Sequence, residues 1–210
     1  MLTVPPHIID YMIYKEVTSQ AYYEKAYKTA SWPQGRSGIT VGIGYDLGHS
    51  DKKKVEQDWH GRVSDAMVKD MQKYCGITGD SAKPKLNQAK KEILIPWNVA
   101  HDVFIEVDIK EYSAKLPTKL ENCDLLSDTC FGVLISLAHN RGINGFTNDD
   151  NDRYIEMVNI REHMANKEFD KIPDEIRDMN RLYTDSKGLM LRRNEEADMF
   201  EEGLVPLVMV

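Results

Sequence analysis

No apolar run in the 210-residue chain approaches the roughly eighteen residues needed to span a bilayer, so membrane insertion is not expected. The opening stretch "MLTVPPHIIDYM" has no basic segment followed by an apolar one, and a secretory leader is not expected either. The expectation is a chain made in the cytoplasm that reaches any other compartment by a dedicated route. Cysteine is scarce. Cys75, Cys123 and Cys130 form an odd set without CxxC spacing, so neither a disulfide framework nor a zinc site is indicated. Cys123 and Cys130 could pair, but buried free thiols are the preferred reading. Repeats, low-complexity tracts and Pro/Gly-rich linkers are also missing, which favours a single domain over 1–210.

Dense positive charge is lacking where a nucleic-acid binder would need it. Residues 1–120 carry 17 Lys and Arg against 15 Asp and Glu, whereas residues 121–210 carry 10 against 19. A C-terminal half of net −9 argues against nucleic acid and against an anionic membrane surface. The acidic run "NDDND", 148–152, lacks the turn glycine of a calcium loop and has Asn159 where a bidentate Glu is needed. It reads as a solvated loop capping the next helix.

What is present is mostly helical pattern. Pro5 and Pro6 suit a first turn, and Ile8, Ile9, Met12 and Ile13 form one apolar face of a helix ending near 16–18. Residues 20–47 lose that period and read as a small sheet or hairpin region with turns at "SWPQGRSG". Further helices are expected over 51–60 and 65–75, with Ser50 and Ser64 as caps, then over 84–92, 97–115, 152–166, 168–181 and 189–202. In "SDTCFGVLISLAHNRG" apolar residues face almost every side, as in a helix buried all round, with Ser127 to open it and Gly142 to close it. The fold class is therefore α+β: a small antiparallel sheet and a helical bundle around a buried central helix. A lobe over 1–50 would hold the first helix and the sheet, and a helical lobe would occupy 51–210.

Chemistry concentrates in "SGITVGIGYDLGH", 37–49. Ile39, Val41 and Ile43 alternate as in a strand, yet Gly42 and Gly44 leave it bare, which suggests close approach of a ligand or another backbone. Thr40 projects from the face opposite those apolar residues. Its hydroxyl could hold a water, and Asp46 could polarise that water. Glu16 stands at a helix C-terminus beside Met12 and Ile13, a candidate for the general acid. The plain alternatives are an exposed helix-end Glu, a turn Asp and a β-forming Thr. An acid, a bare strand and a second carboxylate together are the minimum for cleaving a glycosidic bond. Glycines at 38, 42 and 44 would let a sugar ring lie against backbone.

"IYKE" followed by "SGITVGIGYDLGH" resembles the phage-type lysozymes, and more closely the pesticin-like muramidases of that superfamily. "LISLAHNRG" and "GLMLRRNEEADMF" resemble the central and closing helices of the same fold, while 50–120 agrees only in helical character. The resemblance implies a lysozyme-like fold with Glu16 as catalytic acid, Asp46 as second carboxylate and Thr40 positioning water. Phage-type lysozymes place their aspartate between the glutamate and the threonine, but 17–39 holds no Asp and only Glu24 could substitute. The pesticin-like order favours Asp46. Tyr45, His49, Asn140 and Arg141 rank second as substrate-binding candidates, with ordinary structural roles as the alternative. Arg192 and Arg193 read as ion-pair partners.

The implied activity is hydrolysis of the β-1,4 bond between N-acetylmuramic acid and N-acetylglucosamine in peptidoglycan, with no cofactor or metal. Such an enzyme acts on glycan strands in the periplasm or wall of a target cell, as a phage endolysin, secretion-system effector or bacteriocin domain. A toxin of this kind would be matched by an immunity protein that occupies its cleft. The alternatives are a chitinase or chitosanase, and a non-catalytic module that holds peptidoglycan.

Overall fold

The computed structural model describes residues 2–204. The chain is mostly helical with one two-stranded antiparallel sheet, an α+β arrangement. Its contacts divide it into two compact units, Ile13–Asp108 and Met1–Met12 with Ile109–Val210. The boundaries fall inside helical segments, not at residue 50.

The Ile13–Asp108 unit begins with the last turn of α1, Pro6–Val17. Thr18 ends that helix in the left-handed region at φ +65°, and its amide still donates to the Tyr14 carbonyl at 2.8 Å. The Ser19 side chain then caps α2, Gln20–Ala26. This helix corrects the expectation of non-helical chain from residue 20. With a single buried side chain, Tyr23, the segment has no apolar period to read; its cap and its Ala, Glu, Gln and Lys content carry it.

The sheet is a tight hairpin. Strand β1, Thr40–Val41, pairs with β2, Tyr45–Asp46, in the register Thr40 to Asp46 and Val41 to Tyr45. The expected ribbon through Ile43 is folded in two, because Gly42 and Gly44 take φ of +60° and +83° in the loop. Ile39, Val41 and Ile43 are all buried nonetheless. Four helices follow: α3, Lys52–Trp59; α4, Asp65–Gln72; α5, Leu86–Glu92; and α6, Trp97–Val103. Ser64 caps α4 as expected. Asp51, not Ser50, caps α3, since the Ser50 hydroxyl donates to the Asp46 carbonyl at 3.0 Å. A π-helical stretch, Phe104–Ile109, continues from α6.

The other unit contains α7, Lys110–Lys115; α8, Asp128–Arg141; α9, Ile155–Asn166; α10, Ile172–Asp178; and α11, Lys187–Gly203. Ser127 caps α8, whose residues from Cys130 through Ala138 are all buried. Helices α7 and α11 pack on it, and α10 packs on α9 and α11. Gly142 closes α8 as expected, at φ +89° and ψ 125°, outside the left-handed helical region. The acidic run after it is tied down locally: Asn151 accepts from the Arg153 amide, Asp149 pairs with Arg161, and Asp152 pairs with Arg181. Cys75, Cys123 and Cys130 are free thiols, with burial pushing Cys123 up to about 11. Among the described residues no helix is long and apolar enough to cross a membrane.

Candidate functional site

A cleft of about 280 Å³ lies within the Ile13–Asp108 unit, lined by Glu16, Val17, Tyr27, Ser31, Trp32, Pro33, Thr40, Gly42 and Gly44. Glu16 comes from the final turn of α1, where the helix presents its negative end. It is half-buried, while its neighbour Val17 is buried. Thr40 and the two loop glycines form the hairpin side.

Thr40 is held firmly. Its amide donates to the Ser31 carbonyl at 2.9 Å, and its carbonyl accepts from the Ser31 amide at 2.8 Å. Its hydroxyl donates to the Gly38 carbonyl at 3.4 Å, which leaves the oxygen's lone pairs free to accept a hydrogen bond from water. At 8% exposure Thr40 shows the cleft little more than that group.

Asp46 faces Thr40 across the hairpin, and directly paired residues place their side chains on one face. Its carboxylate, however, turns onto the backbone beside it. The Gly38 amide donates to both oxygens, at 3.1 and 3.0 Å, and the Gly48 amide donates to Oδ1 at 2.8 Å. The cleft wall is therefore Thr40, with Asp46 bracing the same hairpin. Gly38 has a different role from the one its sequence context suggested. A Cβ there would lie 2.4 Å from the Gly48 Cα and 2.7 Å from Asp46 Oδ1, so its bareness serves backbone packing and the carboxylate clamp. Gly42 and Gly44 line the cleft; Gly44 is exposed, whereas a Cβ at Gly42 would point at Trp59 and Ala100.

The second-ranked residues have local partners. The Tyr45 hydroxyl donates to Asp58 at 2.8 Å and its ring meets Trp59 edge-on; burial first, then the Asp58 bond, pushes its pKa far up. His49 is exposed, with Nε2 3.1 Å from the Arg36 carbonyl. Asn140 and Arg141 belong to the other unit. There Asn140 accepts from Arg193 at 3.0 Å, and buried Arg141 bonds the Tyr183 hydroxyl and the Arg153 carbonyl. Arg192 and Arg193 both pair with buried Glu196, at 3.1 and 2.9 Å, which is the ion-pair role read from sequence. Glu24, the substitute carboxylate, pairs with Lys28 at 2.8 Å on α2, and that bond lowers its pKa.

Sequence reasoning missed Tyr27 and Trp32. Trp32 sits in the "SWPQGRSG" turn, and its indole N–H donates to the Ser37 carbonyl at 3.1 Å. The available signal was a large aromatic placed in a turn next to proline, where no strand or helix needed it. Among the described residues there is no cluster of three or more His, Cys, Asp or Glu side chains able to hold a metal.

Comparison with known proteins adds one similarity. A family described as "Domain of unknown function (DUF8812)" matches residues 15–117, just under half of the chain. The matched span takes in nearly the whole unit that contains the cleft. No curated protein matches the chain.

Proposed function

We propose that the protein is a muramidase of lysozyme-like fold that hydrolyses the β-1,4 bond between N-acetylmuramic acid and N-acetylglucosamine. The observation that carries the reading is the meeting of Glu16, at a helix end, with Thr40 and the bare Gly42–Gly44 loop in one cleft. A polysaccharide needs a trough whose wall tolerates a bulky ring, and a carboxyl beside it to protonate the departing oxygen.

In this mechanism Glu16 gives its proton to the glycosidic oxygen as the bond from that oxygen to C1 breaks. Positive charge then builds on the sugar ring. A water held by the Thr40 oxygen attacks C1, and its proton passes to the Glu16 carboxylate left by the first step, which restores the acid. Asp46 supplies negative charge on the Thr40 face and keeps that strand in place through its Gly38 and Gly48 bonds. No step needs a cofactor. The place of action that follows is the wall of a target cell, with a matching immunity protein covering the cleft if the chain is a toxin.

The test is clearance of a bacterial cell-wall suspension. Wild type should clear it, and Glu16→Gln should not. Binding to the wall without clearance by wild type would favour a holding module and defeat the enzymatic reading.

A further inference from the structure

The mechanism gives no task to Trp32, although it lines the cleft together with Glu16 and Thr40. We propose that Trp32 is the stacking platform for one N-acetylhexosamine ring of the glycan, and that it sets affinity without taking part in proton transfer. The inference rests on the glycan-cleft reading above and names the residue that would grip the polymer there.

Three observations carry it. First, Trp32 is partly exposed, whereas Trp59 is fully buried, so the indole of Trp32 has some surface to offer a ligand. Second, its orientation is fixed in advance. Ser31 is locked to Thr40 by two backbone hydrogen bonds, and the indole N–H is fastened to the Ser37 carbonyl, closing the loop on itself. A ring held this way loses little freedom on binding, which is where a rigid aromatic gains affinity. Third, the hairpin loop reaches the same cleft through Gly42 and Gly44. Gly44 is exposed and adds no side chain there, whereas a Cβ at Gly42 would point at Trp59 and Ala100, so the opening beside the loop is owed to Gly44. The cavity of about 280 Å³ has room for a sugar ring.

The chemistry favours a carbohydrate over a purely apolar ligand. A pyranose offers a face of C–H groups to an aromatic ring and hydroxyls at its rim, and this cleft sets aromatic and prolyl surface from Tyr27, Trp32 and Pro33 beside the polar Glu16, Ser31 and Thr40. Because the indole N–H is already engaged by Ser37, Trp32 contributes its ring face and not a donor. A phenylalanine should therefore replace it in part, and an alanine should not.

The experiment measures wall hydrolysis by wild type, Trp32→Ala and Trp32→Phe, with intrinsic fluorescence titrated in parallel against the β-1,4 trimer of N-acetylglucosamine. Trp32→Ala should raise KM about tenfold with kcat within about threefold of wild type. Trp32→Phe should recover most of that loss. The trimer should perturb tryptophan emission in wild type and leave Trp32→Phe unchanged. Wild-type KM in Trp32→Ala, a fall confined to kcat, or an undiminished emission change in Trp32→Phe would each overturn the platform. If wild type binds the trimer through Trp32 but cuts no wall, the platform stands and the muramidase reading falls.

Discussion

Asp46 is proposed to act both as a second carboxylate and as a brace, and substitution can separate the two. Its oxygens take the amides of Gly38 and Gly48, both buried residues whose backbones approach so closely that neither position has room for a Cβ. Asp46→Ala strands two buried N–H donors at about 1–3 kcal/mol each, so the expected loss is about 2–6 kcal/mol. That corresponds to a melting shift of roughly 4–24 °C for a chain of this size. Asp46→Asn keeps an oxygen at Oδ1 for both amides but sets an NH₂ group against the Gly38 N–H that now meets Oδ2. Its cost is smaller, about 1–2 kcal/mol. Denaturant unfolding followed by circular dichroism reads both numbers. Lysis assays on the folded Asn variant then read the charge: activity should disappear while the fold persists. A wild-type midpoint for Asp46→Ala would refute the brace, and full lysis by Asp46→Asn would refute the second carboxylate.

Three further outcomes follow from the same geometry. Gly48→Ala would put a Cβ 2.5 Å from the Ile77 carbonyl oxygen and 2.6 Å from the Gly38 Cα, both immobile backbone. It should cost about 3 kcal/mol or prevent folding, against a smaller loss for Gly61→Ala, which meets nothing. Thr18→Asn should stabilise the chain by about 1 kcal/mol in the same assay, because a β-branched residue at φ +65° is strained and asparagine tolerates that region. Glu92 is held down at about 2, first by the Tyr74 hydroxyl at 2.6 Å and then by Gln88 and Lys73. A depressed folded value means the stabilisation is complete above the unfolded value near 4.5 and is lost as pH falls from there through about 2. Unfolding midpoints across that window should fall less steeply in Glu92→Gln than in wild type, and equal slopes would contradict the assignment.

Much of this was legible in sequence because local chemistry and tertiary outcome agreed. Ser64 and Ser127 open their helices as caps, and α8 is buried wherever its pattern is apolar on all sides. The spacing from Glu16 to Thr40 brought two residues to one cleft because a helix end and a strand face are both predictable directions. Other features depended on distant partners. Gly38 reads as a ligand contact until Gly48 is seen against it, and Asp46 reads as a free carboxylate until two amides are found pointing at it. The division at Asp108–Ile109 lies in a continuous helical stretch with no change in composition, so no linker signal marks it. Tyr23 alone could not announce α2.

A proton donor at position 16, working in a sugar-binding trough, is the premise from which the rest follows. Purified peptidoglycan digested by the protein, reduced with borohydride and separated for mass spectrometry addresses that premise most directly. Wild type should release fragments ending in reduced N-acetylmuramic acid, and Glu16→Gln should release none. Equal release by both proteins, or none by either, would contradict it.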